Sequence, residues 1–196
     1  MQSRRFGPIP NRFVAIEGLD GVGKSTVAKG VAQRLQEMGF AVRLLGLFPP
    51  FLSLGEEIKT VKSTYSRYLF YLASNAAVSD YVRHRIADEW IICDRYVYST
   101  QAYHIAEGLK CSINLENMDI FIPHLSFLIT LRDEGLRQKR LAARGHYSRI
   151  DRMQRTNGSF LQRVEEIYRK YDLIPIDNSA PSPEIAIRQI VAAALE

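Results

Sequence analysis

Cysteine is nearly absent from this 196-residue chain, and its two copies, Cys93 and Cys111, fall in no Cys-x-x-Cys or Cys/His spacing. That excludes a disulfide framework and a structural zinc site, and it fits a reducing compartment. Neither thiol stands where a catalytic nucleophile is expected. Long apolar runs are missing too: even Ile120 to Leu131 is broken by Pro123, His124, Ser126 and Thr130, so no segment approaches a membrane span. Residues 1–12 hold two prolines and no apolar h-region, which reads as a flexible leader and not as a secretory signal. A cytoplasmic protein without membrane contact is expected. Internal repeats, low-complexity tracts and composition breaks are also lacking. With 46% hydrophobic residues, 13–196 is read as a single domain.

The formal net charge is +5, but it is not spread evenly. Between Arg137 and Arg155 lie seven basic residues (Arg137, Lys139, Arg140, Arg144, Arg149, Arg152, Arg155) against one acid, Asp151. The remainder of the chain is close to neutral. Such concentration suits a compact polyanion, a nucleotide triphosphate for instance, better than a long phosphate backbone, so nucleic acid is not an expected partner. Any one of these arginines can equally sit on a solvated helix face.

What is present is a phosphate-binding loop. Gly18-Leu19-Asp20-Gly21-Val22-Gly23-Lys24-Ser25-Thr26 follows the apolar run Phe13-Val14-Ala15-Ile16 and opens a helix-patterned stretch ending near Met38. Glycines let the backbone curl so that N–H groups meet phosphate oxygens at the positive end of the next helix. Lys24 adds a cation toward the β and γ phosphates, and Ser25 offers a hydroxyl to Mg²⁺.

Apolar runs at Phe13–Ile16, Val42–Leu47, Trp90–Cys93, Leu125–Leu131 and Leu173–Ile176 read as buried strands. Helical patterns alternate with them at Thr26–Met38, Tyr65–Asp88, Tyr96–Glu107, Asp133–Ala143, Ser159–Tyr171 and Pro183–Leu195. This β-α order predicts an α/β fold with a five-stranded parallel sheet and helices on both faces, binding its ligands outside the carboxyl ends of the strands. Asp94 falls at such an end, after Trp90-Ile91-Ile92-Cys93, where an acid can hold Mg²⁺ waters. Arg95 beside it can clamp a phosphoryl acceptor. A surface ion pair at a strand end is the plainer alternative. Lone histidines at 104, 124 and 146 have no metal-ligand spacing, and His124 reads as a loop residue.

Several segments resemble the thymidylate kinase family, in family order: Phe13 to Thr26, Phe48-Pro49, Leu54-Gly55-Glu56-Glu57-Ile58-Lys59, Asp94-Arg95-Tyr96 with Ser99-Thr100-Gln101-Ala102-Tyr103, and Arg144-Gly145 through Arg149-Ile150-Asp151. The resemblance implies the P-loop nucleoside monophosphate kinase fold with a mobile lid at about 143–158, a homodimer, and phosphoryl transfer from MgATP to dTMP. It implies that Lys24 bridges the phosphates, Ser25 and Asp94 hold Mg²⁺, Arg95 binds the acceptor phosphate, and Asp20 contacts the acceptor sugar or the Mg²⁺ shell. Gly21 stands where some members carry a catalytic arginine, so the chain resembles the class whose arginines come from the lid, here Arg144 and Arg149. For the acceptor, Phe48, Tyr71, Asn75, Thr100, Gln101 and Tyr103 match base and sugar positions, Tyr71 stacking on the base and Tyr103 crowding the 2′ position. Asn75 replaces the arginine usual there, which opens a second reading: another pyrimidine nucleotide or related small molecule as acceptor. A nucleotide switch or nucleic-acid-associated ATPase is the alternative from another class, weakened by the absence of an Asn-Lys-x-Asp motif.

Overall fold

Phe13, Val14, Ala15 and Ile16 are all fully buried, and successive residues enter different cores. Val14 and Ile16 join one hydrophobic cluster while Phe13 and Ala15 join another, the period-two signature of a strand covered on both faces. Trp90 and Ile92 against Ile91 and Cys93 repeat it one strand over. The computed structural model, which describes residues 12–110, 114–143 and 159–196, joins the two strands in one sheet.

Among the described residues, that sheet has five strands: β1 (Phe13–Gly18), β2 (Val42–Leu45), β3 (Trp90–Asp94), β4 (Leu125–Thr130) and β5 (Ile174–Asp177), in the order β2-β3-β1-β4-β5. Every neighbouring pair is parallel. Ile16 lies opposite Asp94 and Gly18 opposite Ile129, so β1, β3 and β4 finish at one rim.

The α-helices among the described residues are α1 (Lys24–Glu37), α2 (Pro49–Leu52), α3 (Gly55–Thr60), α4 (Thr64–Arg85), α5 (Val97–Ala106), α6 (Glu134–Ala142), α7 (Ser159–Tyr168) and α8 (Glu184–Leu195). One face of the sheet is closed by α1, α7 and α8, through Val27, Val31, Leu35, Phe160, Val164, Ile187 and Ile190. The other is covered by α4, through Tyr68, Leu72, Val78 and Val82. A fully buried aliphatic side chain contributes about 1.5–3 kcal/mol, so Ile16→Ala would remove a large share of a small domain's net stability.

The expected strands and long helices are all present, with ends displaced by a few residues. The short helices α2 and α3, of 4 and 6 residues, are not anticipated by the pattern, because neither spans enough turns to show a 3.6-residue repeat. All but the last residue of the expected leader at 1–12, and all but the first residue of the expected lid at about 143–158, lie outside the described residues.

Candidate active site

Between β1 and α1 the chain turns through residues 19–23. Gly23 caps α1 with φ 95°, in the left-handed region, and a Cβ there would lie 2.6 Å from Nδ2 of Asn178. Gly21, at φ 88°, is equally constrained: its Cβ would meet Leu141 Cγ at 2.8 Å and Arg137 Cγ at 3.0 Å, so α6 fills the space an arginine at this position would need. The loop is also held from behind by its carbonyls. Arg137 Nη1 donates to the Asp20 carbonyl at 2.9 Å, Arg140 Nη1 to that of Val22 at 3.2 Å, and Asn178 Nδ2 to the same Val22 oxygen at 2.8 Å. What the loop keeps for an anion is its N–H side and the positive end of α1.

This alters the reading of the basic segment. Arg137 is only 2% exposed and forks onto Glu134, Nε to Oε2 at 2.7 Å and Nη2 to Oε1 at 2.6 Å. That fork holds the Glu134 carboxyl below its ordinary range. Arg137 and Arg140 therefore support the loop's backbone where the sequence suggested charge for a triphosphate. Lys24 is buried, its Nζ 2.5 Å from the Leu19 carbonyl, while Ser25 and Thr26 are exposed at the start of α1.

Because β1 and β3 are neighbours in register, Asp94 and Arg95 emerge beside this loop. Arg95 continues the ladder with its N–H on Ile16 O at 3.0 Å, then turns at φ 72°. A non-glycine residue in that region costs about 1–2 kcal/mol, and such strain gathers at functional sites. The guanidinium is turned into the crevice: Nη1 donates to Gly18 O and to Ser99 Oγ, both at 3.1 Å, Nη2 donates to Asp20 Oδ1, and the group stands 5.0 Å from the Tyr103 ring centroid. Burial opposes its charge, but Asp20 and other neighbours outweigh that and hold it above its ordinary range. Arg95 is thus a fixed cation.

One residue before the loop, Glu17 is fully buried. Oε1 accepts from the Tyr96 N–H at 3.0 Å, and Oε2 accepts from the Ser99 hydroxyl, whose oxygen also lies 2.8 Å from the Tyr168 hydroxyl. Burial pushes the Glu17 carboxyl up, against the opposing Ser99 hydrogen bond and Arg95 charge.

A cavity of about 340 Å³ opens from Asp20, Asp94 and Arg95. Helix α4 lines it with Arg67, Tyr71 and Asn75 and helix α5 with Thr100, Tyr103 and His104; Tyr71 and Asn75, spaced i, i+4 on α4, share one face. Asn75 Nδ2 donates to Thr100 Oγ1 at 2.9 Å. Arg67 and Glu107, both in the wall, form a buried ion pair, and Lys59 of α3 adds another cation. His104 bonds through Nδ1 to the Thr100 carbonyl at 2.7 Å, and its ring centroid lies 5.6 Å from those of Tyr68 and Tyr71.

Two expected acceptor residues are not in that wall. Gln101 is turned into the α4–α5 contact, where Nε2 donates to Tyr68 OH at 3.0 Å. Phe48 packs against the core beside Tyr81, centroids 6.2 Å apart, and its N–H donates at 2.9 Å to the Oγ of Ser74, which lines the cavity. Arg144, Arg149 and His146 lie outside the described residues, as does Cys111. Cys93 is buried, and burial pushes its thiol up beyond any nucleophilic range. His124 stands before β4, its N–H on Phe13 O at 3.0 Å, at the end of β1 remote from the loop.

Glu17, Ser99, Lys59, Arg67, His104 and Glu107 are given no role by sequence reasoning. A charged residue closing an apolar strand flags Glu17, and the i, i+4 step from Arg95 flags Ser99.

A divalent cation can be tested against the donor set. Asp94 Oδ1 is buried without a hydrogen-bond partner, and Ser25 is an exposed residue at the start of α1. Among the described residues no group of three or more His, Cys, Asp or Glu could hold a metal ion. Hard oxygens in so small a number fit Mg²⁺, which keeps waters and borrows substrate phosphate oxygens, and do not fit zinc. The arrangement can hold two anions face to face, one on the loop and one on Arg95, beside a cavity for the body of the second. No helix among the described residues is long and apolar enough to cross a membrane.

The thymidylate kinase family profile matches residues 16–190. Among solved structures, the chain is similar to the thymidylate kinase of Ehrlichia chaffeensis, at 20% identity and TM-score 0.68, covering 94% of this chain and 98% of that one. It is also similar to a thymidylate kinase from Candida albicans described for its broad substrate specificity, at 19% identity and TM-score 0.67 over 94% and 91% of the two chains.

Proposed function

The chain belongs to the thymidylate kinase family, and we propose that it carries out that family's reaction, transfer of the γ-phosphoryl group of MgATP to dTMP to give dTDP and ADP, in the crevice between Gly18–Ser25 and Asp94–Arg95. The observation that carries this reading is the meeting of loop and strand end at the Asp20–Arg95 pair, with the cavity opening from it.

Phosphoryl transfer asks little covalent work of a protein. The donor must be held in line with the acceptor oxygen while charge spreads over the transferred group, so positioning and fixed cations supply the catalysis. The loop N–H groups and the α1 terminus bind the donor phosphates. Lys24 leaves the Leu19 carbonyl to follow the β and γ oxygens. Ser25 and Asp94 would hold Mg²⁺, which when bound would neutralise phosphate charge. Arg95 exchanges its Asp20 contact for the acceptor phosphate, a trade of one anion for another that keeps the half-buried guanidinium paired throughout. Asp20, released, turns to the acceptor sugar. Tyr71 offers a face to the base, and Tyr103, which stacks on Arg95, crowds the 2′ position. Arg144 and Arg149 supply the remaining charge from the lid segment, since α6 leaves no space for an arginine at position 21. A homodimer in a cytoplasmic setting belongs to the same reading.

A second reading of the acceptor has its own observation. Asn75 is uncharged and already bonded to Thr100, so the base is met by an amide and a hydroxyl instead of a guanidinium. That favours wider acceptance of pyrimidine nucleotides. Both readings are tested by measuring ADP formation with MgATP against a panel of nucleoside monophosphates. The first expects dTMP as the best acceptor, and fails if dTMP is not among the best. The second expects dCMP or dUMP within about tenfold of dTMP in kcat/KM, a gap of about 1.4 kcal/mol.

A further inference from the structure

Glu17 is a fully buried carboxylate to which the reaction as described gives no task, and its contacts lead to the residue that has one. Its two oxygens are committed to different parts of the acceptor-side wall. Oε1 accepts the Tyr96 amide at 3.0 Å, which pins the peptide just after Arg95, the one described non-glycine residue at positive φ. Oε2 accepts the Ser99 hydroxyl proton. A hydroxyl has one proton to give, so with that proton on Glu17 the Ser99 oxygen can only accept. It accepts from Arg95 Nη1 at 3.1 Å and from the Tyr168 hydroxyl at 2.8 Å. The carboxylate thereby sets the polarity of a three-way junction whose third arm is the guanidinium.

We propose that Glu17 is a positioning residue for acceptor binding: acting through Ser99 and the Tyr96 amide, it holds Arg95 in its left-handed turn with the guanidinium aimed at the acceptor phosphate. The proposal rests on the reading of Arg95 as the acceptor-phosphate ligand. It adds a link between the two sides of the crevice, since Glu17 immediately precedes Gly18 of the donor loop yet serves the acceptor arginine.

Glu17→Gln is nearly isosteric and tests polarity more than packing. If the amide oxygen keeps the Tyr96 N–H, its NH₂ faces Ser99 and turns the serine proton either toward Arg95, donor against donor, or toward Tyr168, whose hydroxyl must then accept instead of donate. If the amide flips, the NH₂ meets the Tyr96 N–H. Each arrangement removes the carboxylate acceptor that orients the junction around Arg95. The experiment measures KM for dTMP and for ATP, kcat and thermal midpoint in Glu17→Gln, Ser99→Ala, their double variant, Ser99→Thr and Arg95→Ala. The expected result is a rise of about tenfold in KM for dTMP in Glu17→Gln, with KM for ATP within about twofold of the parent. Ser99→Ala should move the same constant, the double variant should be no worse than the more impaired single, and Ser99→Thr, which keeps the hydroxyl, should recover most of the affinity.

A purely structural Glu17 would lower the thermal midpoint and leave both KM values in place, and that result overturns the proposal. Equal rises in the two constants overturn it as well. If Glu17→Gln does not accumulate as folded protein, Ser99→Ala decides: an unchanged KM for dTMP counts against the proposal, and a selective rise supports it. Arg95→Ala separates the levels. If it raises KM for dTMP while Glu17→Gln and Ser99→Ala do not, only the positioning role falls; if Arg95→Ala leaves that constant unchanged, the assignment of Arg95 falls and the positioning role with it.

Discussion

The loop proposed for the donor and the cavity proposed for the acceptor share one ion pair, Asp20–Arg95, and are otherwise built differently. On the donor side the binding groups belong to the backbone, and side chains act from behind: Arg137, Arg140 and Asn178 take loop carbonyls, and α6 closes the space over Gly21. On the acceptor side the binding groups are side chains from α3, α4, β3 and α5, several already paired, as in Arg67–Glu107 and Asn75–Thr100. Backbone sites recognise what every nucleotide has, a chain of phosphates. Side-chain sites recognise one acceptor, and they can drift one residue at a time.

The sharpest way to break this contrast is at its centre. Lys24→Ala should lower kcat by about 10³-fold while KM for dTMP stays within a few-fold, because Lys24 acts on charge that grows in the transition state. A coupled ADP assay reads both constants. Arg95→Ala should fall on the other side of the divide, with kcat/KM for dTMP down by about 10²-fold and KM for ATP little changed. Arg95→Lys should recover little, since a point charge cannot hold Gly18 O, Ser99 and the acceptor together as the planar fork does.

Support from behind the loop should be smaller but selective in the opposite direction. Arg137→Ala removes a buried guanidinium from the Asp20 carbonyl, and Glu134, 62% exposed, is left to solvent. A loss of about 2 kcal/mol, or about 6 °C in thermal midpoint, should come with a several-fold rise in KM for ATP. A rise confined to KM for dTMP would erase the distinction. Asn75→Ala should cost only about five-fold in kcat/KM for dTMP, one neutral hydrogen bond's worth, and should change the ratio of dTMP to dCMP turnover.

The smallest effect is one of pH. Burial raises the Glu17 carboxyl in the folded state above its ordinary 4.5. The folded protein therefore binds that proton more tightly than the unfolded chain, and the stability this contributes is complete below 4.5 and is lost as pH rises to the folded value. Urea midpoints of the parent and Glu17→Gln, compared across that window, should shift in the variant's favour as pH increases. A difference independent of pH would mean that Glu17 titrates alike in both states.

Legibility followed the same divide. The loop was readable because a backbone site is written in consecutive residues: glycines for curvature, Lys24 and Ser25 in line after them. Asp94 and Arg95 were readable because a short apolar strand ends just before them. Gln101 falls outside the cavity wall for a reason of rotation: one position along α5 carries a side chain about 100° around the helix, so Thr100 lines the cavity while Gln101 meets Tyr68. Phe48 follows β2 closely enough to pack against the core beside Tyr81. The two arginines of α6 were counted as charge for a ligand, because composition cannot tell a guanidinium held by a carbonyl from one left for a phosphate.

From the order of residues alone came the alternation of strands and helices, the parallel sheet and the phosphate-binding chemistry, all of which depend on local spacing: period two, period 3.6, and glycines at set intervals. Only the folded chain decided that Asn75 would meet Thr100, that Glu17 would reach Ser99 beneath Arg95, and that Arg137 would be spent behind the loop. Those contacts join residues 25, 82 and 117 positions apart. They exist because two strands end at one rim and three helices, α4, α5 and α6, lean over it, a juxtaposition of distant segments that no nearby run of sequence records.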